Sequence, residues 1–302
     1  MSHPLATNHR TFPLWTALVT PFLANGLIDW VSLETLLDEQ INAKNGVLLL
    51  GSTGEALNMS LNEKKSLLEF ALPKLKSTPV MVGLAGFEEA ANLEWLAYLE
   101  KLPIDGYLAI TPIYAKPGRH GQTAWFEKIL NASSRPVMLY NVPSRSGVKL
   151  HPETVADLGA HKNFWSIKEA SGSLDDMKLY LSKCQSQVIF CGDDGLCPDF
   201  CDAGAIGLVS VASNAWPTAT HRYVRRCLES SLSGEERASW AESADALFVA
   251  SNPVPVKALL HHEGRIATNT MRSPLQNKDL ATYQPIAQAS EFVNAWHKEN
   301  PA

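Results

Sequence analysis

The sequence has little charge and no long apolar run, and these two absences narrow the classes of protein that it can encode. Asp, Glu, Lys and Arg make up 19% of the 302 residues, against about 25% in an ordinary globular chain. The net charge of -5 gives no basic excess of the kind that neutralises nucleic-acid phosphates. No stretch approaches the roughly 18 uninterrupted apolar residues of a membrane span, so we expect no transmembrane helix and no membrane partner.

Cysteine is scarce, and its number is odd. The five cysteines are Cys184, Cys191, Cys197, Cys201 and Cys227. The N-terminal segment MSHPLATNHRTFPLW lacks the basic region followed by an apolar run of a signal peptide. Together these features predict a cytoplasmic protein with reduced thiols. The spacings Cys-x₅-Cys and Cys-x₃-Cys fit no common zinc pattern. We expect no metal and no cofactor.

Short apolar runs bounded by Gly or Pro recur every 20–35 residues and are the clearest organisational signal. They are near-continuous and not alternating, which is typical of strands covered on both faces. The predicted strands are Leu14–Val19, Val47–Leu50, Val80–Leu84, Gly106–Ile110, Val137–Tyr140, Phe164–Lys168, Val188–Cys191 and Ile206–Val211.

Amphipathic stretches separate these runs, for example residues 31–43 and 61–75. Eight strands, each followed by a helix, predict an α/β fold, a closed (β/α)₈ TIM barrel spanning residues 1–230. A doubly wound open sheet is the alternative, but the segment ALVTPFLANG after the first strand is not the GxGxxG turn of that fold. From about Gly234 the patterns are only helical, so residues 231–302 are predicted to form a C-terminal α-helical appendage.

The chemistry of such a barrel is expected at the carboxyl ends of its strands. Lys168 ends the sixth predicted strand, and burial in an apolar barrel mouth would favour its free amine, which can form a Schiff base with a carbonyl. Tyr140 ends the neighbouring strand and could donate and accept the protons that imine formation requires. A lysine that simply reaches solvent remains the alternative for this position considered alone.

Other strand ends carry groups suited to binding carboxylates. The turn Gly51-Ser52-Thr53-Gly54 offers two hydroxyls and backbone amides, and Arg145 offers a bidentate fork. The adjacent Asp193 and Asp194 would point to opposite sides of an extended strand, which argues against a two-carboxylate metal site.

Seven segments, one after nearly every strand, resemble the dihydrodipicolinate synthase / N-acetylneuraminate lyase family in their order and composition. They are GSTGE (51–55), TPIYAKP (111–117), YNVPSRSG (140–147), IKEASG (167–172), CGDD (191–194), GLVSVASN (207–214) and NPVPVK (252–257). Each piece alone is weak, but the joint match is specific. The resemblance implies a Schiff-base-forming lyase, and Arg145 and Tyr114 favour its synthase branch, which condenses pyruvate with aspartate 4-semialdehyde on the route to diaminopimelate and lysine.

The resemblance also implies roles for individual residues. Lys168 would form the imine with pyruvate. Tyr140 would shuttle protons in a hydroxyl relay with Ser52 and with Tyr114, the last supplied by a neighbouring subunit of a homotetramer built as a dimer of dimers.

The same resemblance implies the binding residues. Thr53 would hold the carboxylate of pyruvate, Arg145 would hold that of the semialdehyde, and Gly192 and Val209 would line the pyruvate pocket.

The sequence also departs from the family. Ser52 occupies a position that is commonly Thr in synthases and Ser in lyases, which keeps the hydroxyl. Where feedback-inhibited synthases bind lysine, apolar residues align, namely Leu61, Phe87, Ala91 and Ile113. Apolar groups cannot hold an ammonium and a carboxylate, so we predict weak or absent inhibition by lysine.

Two alternative functions remain open at this stage. The first is N-acetylneuraminate lyase or a 2-keto-3-deoxy sugar-acid aldolase, which would use the same lysine and tyrosine. The second is a non-catalytic barrel that binds a metabolite, and it would predict loss of Lys168 or Tyr140, both of which are present.

Overall fold

The computed structural model describes residues 12–84 and 86–300. Residues 1–11, 85 and 301–302 lie outside this range, and with them most of the N-terminal segment and parts of the GLAGFEEA segment and of the predicted appendage. The described residues confirm the predicted barrel, because eight parallel strands pair in chain order and close on themselves. The strands are β1 (Leu14–Ala17), β2 (Gly46–Leu49), β3 (Val80–Leu84), β4 (Gly106–Ile110), β5 (Val137–Asn141), β6 (Phe164–Glu169), β7 (Val188–Cys191) and β8 (Leu208–Ser210).

The barrel interior is a packed apolar column that ends in polar groups at the carboxyl edge. Trp15, Trp165 and Phe190 pack edge to face inside it, with ring centroids 5.4–6.3 Å apart. In the strand register Tyr140 of β5 lies beside Lys168 of β6, and Lys168 lies beside Phe190 of β7. The chain order of the strands therefore places the predicted lysine and tyrosine at the same level of the barrel.

Helices surround the barrel and cover its outer face. They are α1 (Trp30–Ala43), α2 (Leu61–Ala71), α3 (Glu89–Leu99), α4 (Arg119–Ala132), α5 (Pro143–Ser146), α6 (Pro152–Leu158), α7 (Leu174–Lys183), α8 (Cys197–Asp202), α9 (Ala212–Ala215), α10 (Pro217–Leu228), α11 (Gly234–Asp245), α12 (Val254–His262) and α13 (Gln284–Glu299). Helix α2 begins with a capping box of Ser60 and Glu63 and ends at Ala71, four residues before the predicted end at Leu75. Pro73 explains the early end, because proline has no backbone N–H to donate to the carbonyl of Glu69, four residues earlier, although Leu72 itself keeps helical angles.

The three helices after residue 231 pack against the barrel's helical shell. Helix α11 contacts α13, and α13 contacts α10. Trp240 of α11 stacks on Tyr223 of α10 with ring centroids 4.1 Å apart. The apolar cluster that surrounds the strands therefore includes residues from both predicted units. None of the helices in the described ranges is long and apolar enough to cross a membrane.

A polar anchor holds the start of α11. Burial alone would raise the pKa of Glu236, but hydrogen bonds from the Ser233 backbone N–H, the Trp296 indole and the Arg226 guanidinium lower that pKa to about 2. This carboxylate therefore joins α10, α11 and α13 through groups that favour its charged form.

Candidate active site

A cavity of about 470 Å³ opens at the carboxyl ends of the strands. Six of the eight predicted site residues line it: Ser52, Thr53, Tyr140, Arg145, Lys168 and Gly192. The size suits two small metabolites, and the wall carries hydroxyl, amine, guanidinium and carboxylate groups.

Lys168 and Tyr140 form the floor of the cavity. Lys168 is 6% exposed, Tyr140 is 7% exposed, and the Lys168 Nζ lies 4.4 Å from the centroid of the Tyr140 ring. The salt bridges of the described residues include none from Lys168, so its amine is not neutralised by a carboxylate there. A carbonyl carbon in the cavity would meet an amine and a phenol side by side, the arrangement that imine chemistry needs.

Gly192 is glycine because the lysine passes close to its backbone. A Cβ atom built at Gly192 would lie 2.9 Å from the Cε of Lys168 and 2.6 Å from the Cβ of Ala170. A side chain at this position would clash with Ala170 and with the Lys168 side chain, so one or both would have to shift. Gly192 therefore secures the position of the amine.

The two groups predicted to bind carboxylates, Thr53 and Arg145, share one neighbour, Asn252. The Asn252 side-chain amide donates to the Thr53 hydroxyl oxygen at 2.9 Å, and Arg145 donates to the Asn252 backbone carbonyl at 3.3 Å. Since the Thr53 oxygen accepts a hydrogen bond from behind, its own O–H remains available to donate into the cavity. Sequence reasoning did not single out Asn252, although it lies in the NPVPVK segment.

Two predicted site residues do not line this cavity. Tyr114 is 90% exposed on the TPIYAKP loop, where its backbone adopts a left-handed φ of 66° that is disfavoured for a bulky residue. Val209 is buried in the interior column of the barrel, while Val211 lines the cavity instead. Ser52 lines the cavity, but no hydrogen bond joins it to Tyr140.

Comparisons with known proteins identify the family of the chain. The sequence model described as the dihydrodipicolinate synthetase family matches residues 12–291. The chain belongs to this family. It is 47% identical over 284 residues to a protein of Wolbachia pipientis wMel named 4-hydroxy-tetrahydrodipicolinate synthase, a match covering 94% of this chain and 96% of the relative.

Solved structures of the dihydrodipicolinate synthetase family show the same fold. One is the 4-hydroxy-tetrahydrodipicolinate synthase of Methylacidiphilum fumariolicum SolV, with a TM-score of 0.90, 31% identity, and coverage of 96% of this chain and 99% of that chain. Another is described as the first monomeric dihydrodipicolinate synthase variant, with a TM-score of 0.85, 30% identity, and coverage of 97% of each chain.

Two of the segments that carry the family resemblance meet in a buried ion pair. Lys257 of NPVPVK and Glu55 of GSTGE both have fully buried side chains, and Lys257 Nζ lies 2.7 Å from Glu55 Oε1. Lys257 also donates to the Thr270 carbonyl, and the second Glu55 oxygen accepts from the Arg272 backbone N–H. The pair fixes the Thr53 loop against the start of α12, so we refer to it as the loop clamp.

A second buried carboxylate, that of Glu169, lies at the end of the lysine strand, one residue after Lys168. Glu169 accepts hydrogen bonds from the Asn141 side-chain amide and the Ser171 backbone N–H, each at 2.7 Å. Burial raises the pKa of Glu169, and these two hydrogen bonds oppose that shift. The contacts tie the end of β6 to the end of β5, which keeps the Lys168 and Tyr140 strands in register.

Asp193 and Asp194 face different surroundings, as expected from their adjacency. Asp194 is buried and accepts hydrogen bonds from the Ser210 hydroxyl and the Val211 and Ala212 backbone N–H groups, while burial raises its pKa to about 6. Asp193 lines the cavity, and burial raises its pKa also. Only Asp193 is therefore placed to meet a ligand. Among the described residues no group of three His, Cys, Asp or Glu side chains could hold a metal ion.

Proposed function

We propose that the chain is a 4-hydroxy-tetrahydrodipicolinate synthase, a lyase that condenses pyruvate with L-aspartate 4-semialdehyde in the diaminopimelate and lysine pathway. The observation that carries the proposal is the buried Lys168 amine beside Tyr140, in a cavity that also presents Thr53 and Arg145. The names of the full-length relatives support the same reaction.

The proposed chemistry begins with the Lys168 amine. It attacks the pyruvate carbonyl, and Tyr140 moves the protons that allow water to leave and an imine to form. Loss of a methyl proton gives the enamine, whose carbon attacks the aldehyde of the second substrate. The amine of that substrate then adds to the imine carbon, releases the Lys168 amine and closes the ring. No cofactor is needed, since the protonated imine itself accepts the electron pair that is left when the methyl proton is lost.

The two substrates are held by different groups in this proposal. The Thr53 hydroxyl donates to the pyruvate carboxylate, because its oxygen is already oriented by Asn252. Arg145, which also lines the cavity, holds the carboxylate of the semialdehyde. Gly192 keeps the floor open beside Lys168. Val209 supports the pyruvate pocket from within the barrel column.

We propose that Tyr114 completes the relay of Ser52 and Tyr140 in a neighbouring subunit of a homotetramer. Its 90% exposure and its place outside the cavity of its own chain support supply in trans. Mixing inactive Lys168→Met subunits with inactive Tyr114→Phe subunits should restore activity, since one site of each mixed dimer then has both residues. Mixed oligomers without activity, or a fully active monomer, would contradict this arrangement.

The response to lysine stays a prediction of weak or absent inhibition. Three of the aligned positions, Leu61, Phe87 and Ala91, lie on one groove of about 490 Å³. The groove also holds Lys64 and Glu88, charges that the sequence argument did not consider. Inhibition of the purified enzyme by sub-millimolar lysine would contradict the prediction.

Two experiments test the function and its alternatives. Borohydride reduction in the presence of pyruvate should add mass to Lys168 and to no other residue. Turnover of pyruvate with aspartate 4-semialdehyde should then exceed turnover of N-acetylneuraminate. Reaction of N-acetylneuraminate alone would favour the lyase, and no trapping at all would favour a non-catalytic barrel.

We also propose that the enzyme is cytoplasmic, where its five free cysteines stay reduced. Cell fractionation tests that placement.

A further inference from the structure

Asn141 and Glu169 adjoin the two reacting residues in the chain, but the proposed chemistry gives them no role. They directly follow Tyr140 and Lys168, and they lie beside each other in the strand register. Both are fully buried, and neither lines the cavity. Successive residues of a strand point to opposite faces, so Asn141 and Glu169 point away from the face that carries Tyr140 and Lys168.

A chain of hydrogen bonds runs through these two side chains. The Leu150 backbone N–H donates to Asn141 Oδ1 at 2.8 Å, and Asn141 Nδ2 donates to Glu169 Oε2 at 2.7 Å. The Ser171 backbone N–H donates to the other Glu169 oxygen, Oε1, at 2.7 Å. Asn141 directly precedes residues 142–149, and Leu150 directly follows them. The Asn141 side chain therefore ties together the two ends of this segment, which we call the Arg145 loop.

The Arg145 loop carries one predicted site residue and contacts the backbone of another. The Arg145 N–H donates to the Val142 carbonyl at 2.9 Å, in the turn that begins directly after Asn141. The Ser146 carbonyl accepts from the Tyr114 N–H at 3.2 Å. A shift of the loop would therefore move the Arg145 guanidinium, which must lie within hydrogen-bond distance of a carboxylate in order to bind it.

The number of donors explains why position 169 needs a carboxylate. The Asn141 amide and the Ser171 N–H each use a different oxygen of Glu169. A glutamine would offer one acceptor and one NH₂ group, so one of these donors would face another donor. Turning the Asn141 amide over does not remove the conflict, because its NH₂ group would then face the Leu150 N–H. Since a buried unpaired donor is costly, the loop would shift to relieve it.

We propose that Asn141 and Glu169 are positioning residues for the second substrate, which hold the Arg145 loop where Arg145 meets the carboxylate of the semialdehyde. The proposal rests on the proposed function, because that function assigns Arg145 to this carboxylate. Gln122 of α4 also donates to the Lys149 carbonyl, at 2.8 Å, so the loop keeps a second support when the Asn141 contact is lost.

The two substrates should respond differently to loss of this network. Thr53, which is assigned to pyruvate, accepts a hydrogen bond from Asn252 and has no contact with the Arg145 loop through Asn141 or Glu169. Loss of the network should therefore weaken binding of the semialdehyde and spare that of pyruvate. A residue that only stabilises the fold would not distinguish the two substrates.

The test removes the carboxylate and then restores it at the neighbouring position. Glu169→Gln should lower kcat/KM for aspartate 4-semialdehyde about tenfold or more, since a hydrogen bond to a charged group is lost. The KM for pyruvate should change less than about twofold, and borohydride trapping on Lys168 should persist.

The double variant Glu169→Gln/Asn141→Asp should recover kcat/KM to within about threefold of the unmodified protein, because every donor again has an acceptor. The new carboxylate at position 141 accepts from the Leu150 N–H and from the new amide at position 169. The oxygen of that amide accepts from the Ser171 N–H.

A double-mutant cycle tests whether the network acts through Arg145. Arg145→Ala removes the guanidinium, so adding Glu169→Gln to that variant should have little further effect on kcat/KM for the semialdehyde. Glu229→Gln, at an exposed carboxylate directly after α10, is the matched control and should change none of these values.

The outcomes separate the positioning role from the function. Equal loss for both substrates, loss of trapping in Glu169→Gln, additive effects of Glu169→Gln and Arg145→Ala, or no recovery in the double variant overturns the positioning role alone. Absence of trapping in the unmodified protein overturns the proposed function itself. Thermal melting checks that each variant is folded at the assay temperature. If Glu169→Gln is not folded, Asn141→Asp, which sets two carboxyl groups against each other, replaces it and should show the same selective loss.

Discussion

Two buried lysines lie at the carboxyl end of this barrel, and their surroundings differ in one decisive respect. Lys168 and Lys257 are 6% and 0% exposed, and each places its amine about the same distance from an aromatic ring, 4.4 Å from Tyr140 and 4.5 Å from Phe22. Lys257 has a carboxylate at 2.7 Å, whereas Lys168 has no salt bridge within the described ranges.

The difference shows how one residue type serves two purposes in neighbouring places. Burial lowers the pKa of Lys257, and Glu55 opposes that shift by stabilising the charged form. An amine held by a carboxylate is a structural cation and a poor nucleophile, whereas an amine without one beside a phenol can attack a carbonyl. Lys257 in the loop clamp therefore has a structural role, and Lys168 at the cavity floor has a chemical one. The clamp still affects the site, because it holds the loop that bears Thr53.

The largest expected effect separates the two lysines by activity. Lys168→Met should lower kcat/KM by about 10⁴-fold or more, because the nucleophile is removed, while the free energy of unfolding changes little. Steady-state kinetics and urea unfolding measure the two quantities. Lys149→Met, at an exposed lysine paired with Asp176, is the matched control and should keep full activity. Substantial turnover by Lys168→Met would show that Lys168 is not the nucleophile and that the two lysines do not differ in this way.

The second effect tests the same distinction by stability. Lys257→Met leaves the Glu55 carboxylate buried and unpaired, so the free energy of unfolding should fall by about 3–5 kcal/mol. The double variant Glu55→Gln/Lys257→Met should recover most of this loss, because no buried charge remains. Urea unfolding of the single and double variants provides the measurement. A Lys257→Met protein as stable as Lys168→Met would show that the clamp is not structural.

A third test concerns Glu236, the carboxylate that joins α10, α11 and α13. Its folded pKa of about 2 lies below the ordinary value of 4.5, so its stabilisation is present above pH 4.5 and is lost as the pH falls towards 2. Glu236→Gln should therefore be less stable at pH 7 by at most about 3 kcal/mol, and this difference should shrink as the pH approaches 2. Thermal and urea unfolding across this pH range measure it, and a difference independent of pH would contradict the assignment.

The smallest expected effect concerns Thr53, which lies on the loop that the loop clamp holds. Thr53→Val removes the hydroxyl and keeps the shape, so the KM for pyruvate should rise about 10- to 100-fold, the value of a hydrogen bond to a charged group. Thr53→Ser keeps the hydroxyl and should restore most of the affinity. Kinetics at saturating semialdehyde give the KM, and equal affinities for the Val and Ser variants would exclude a hydroxyl contact.

Much of the fold and part of the site could be predicted because both follow from local patterns. Strands buried on both faces leave apolar runs in the sequence, and a barrel with strands in chain order brings Tyr140 beside Lys168. The end of α2 was predicted too late, because its apolar spacing continues beyond Pro73.

The contacts made by the helical tail were not predictable in the same way. Asn252 and Asp245 reach the cavity only because the tail packs against the barrel mouth, and no periodicity reports that packing. Glu55 and Lys257 are 202 residues apart, so their pairing is invisible to local spacing.

The sequence by itself determined the barrel, the order of its strands and the residues at their carboxyl ends, since each depends on near neighbours along the chain. Only the tertiary structure decided which buried lysine is neutralised, which loop is held and which wall of the cavity carries negative charge. Those properties depend on distances between residues far apart in the chain, because charges interact through space and the strength of each interaction depends on how deeply the charges are buried.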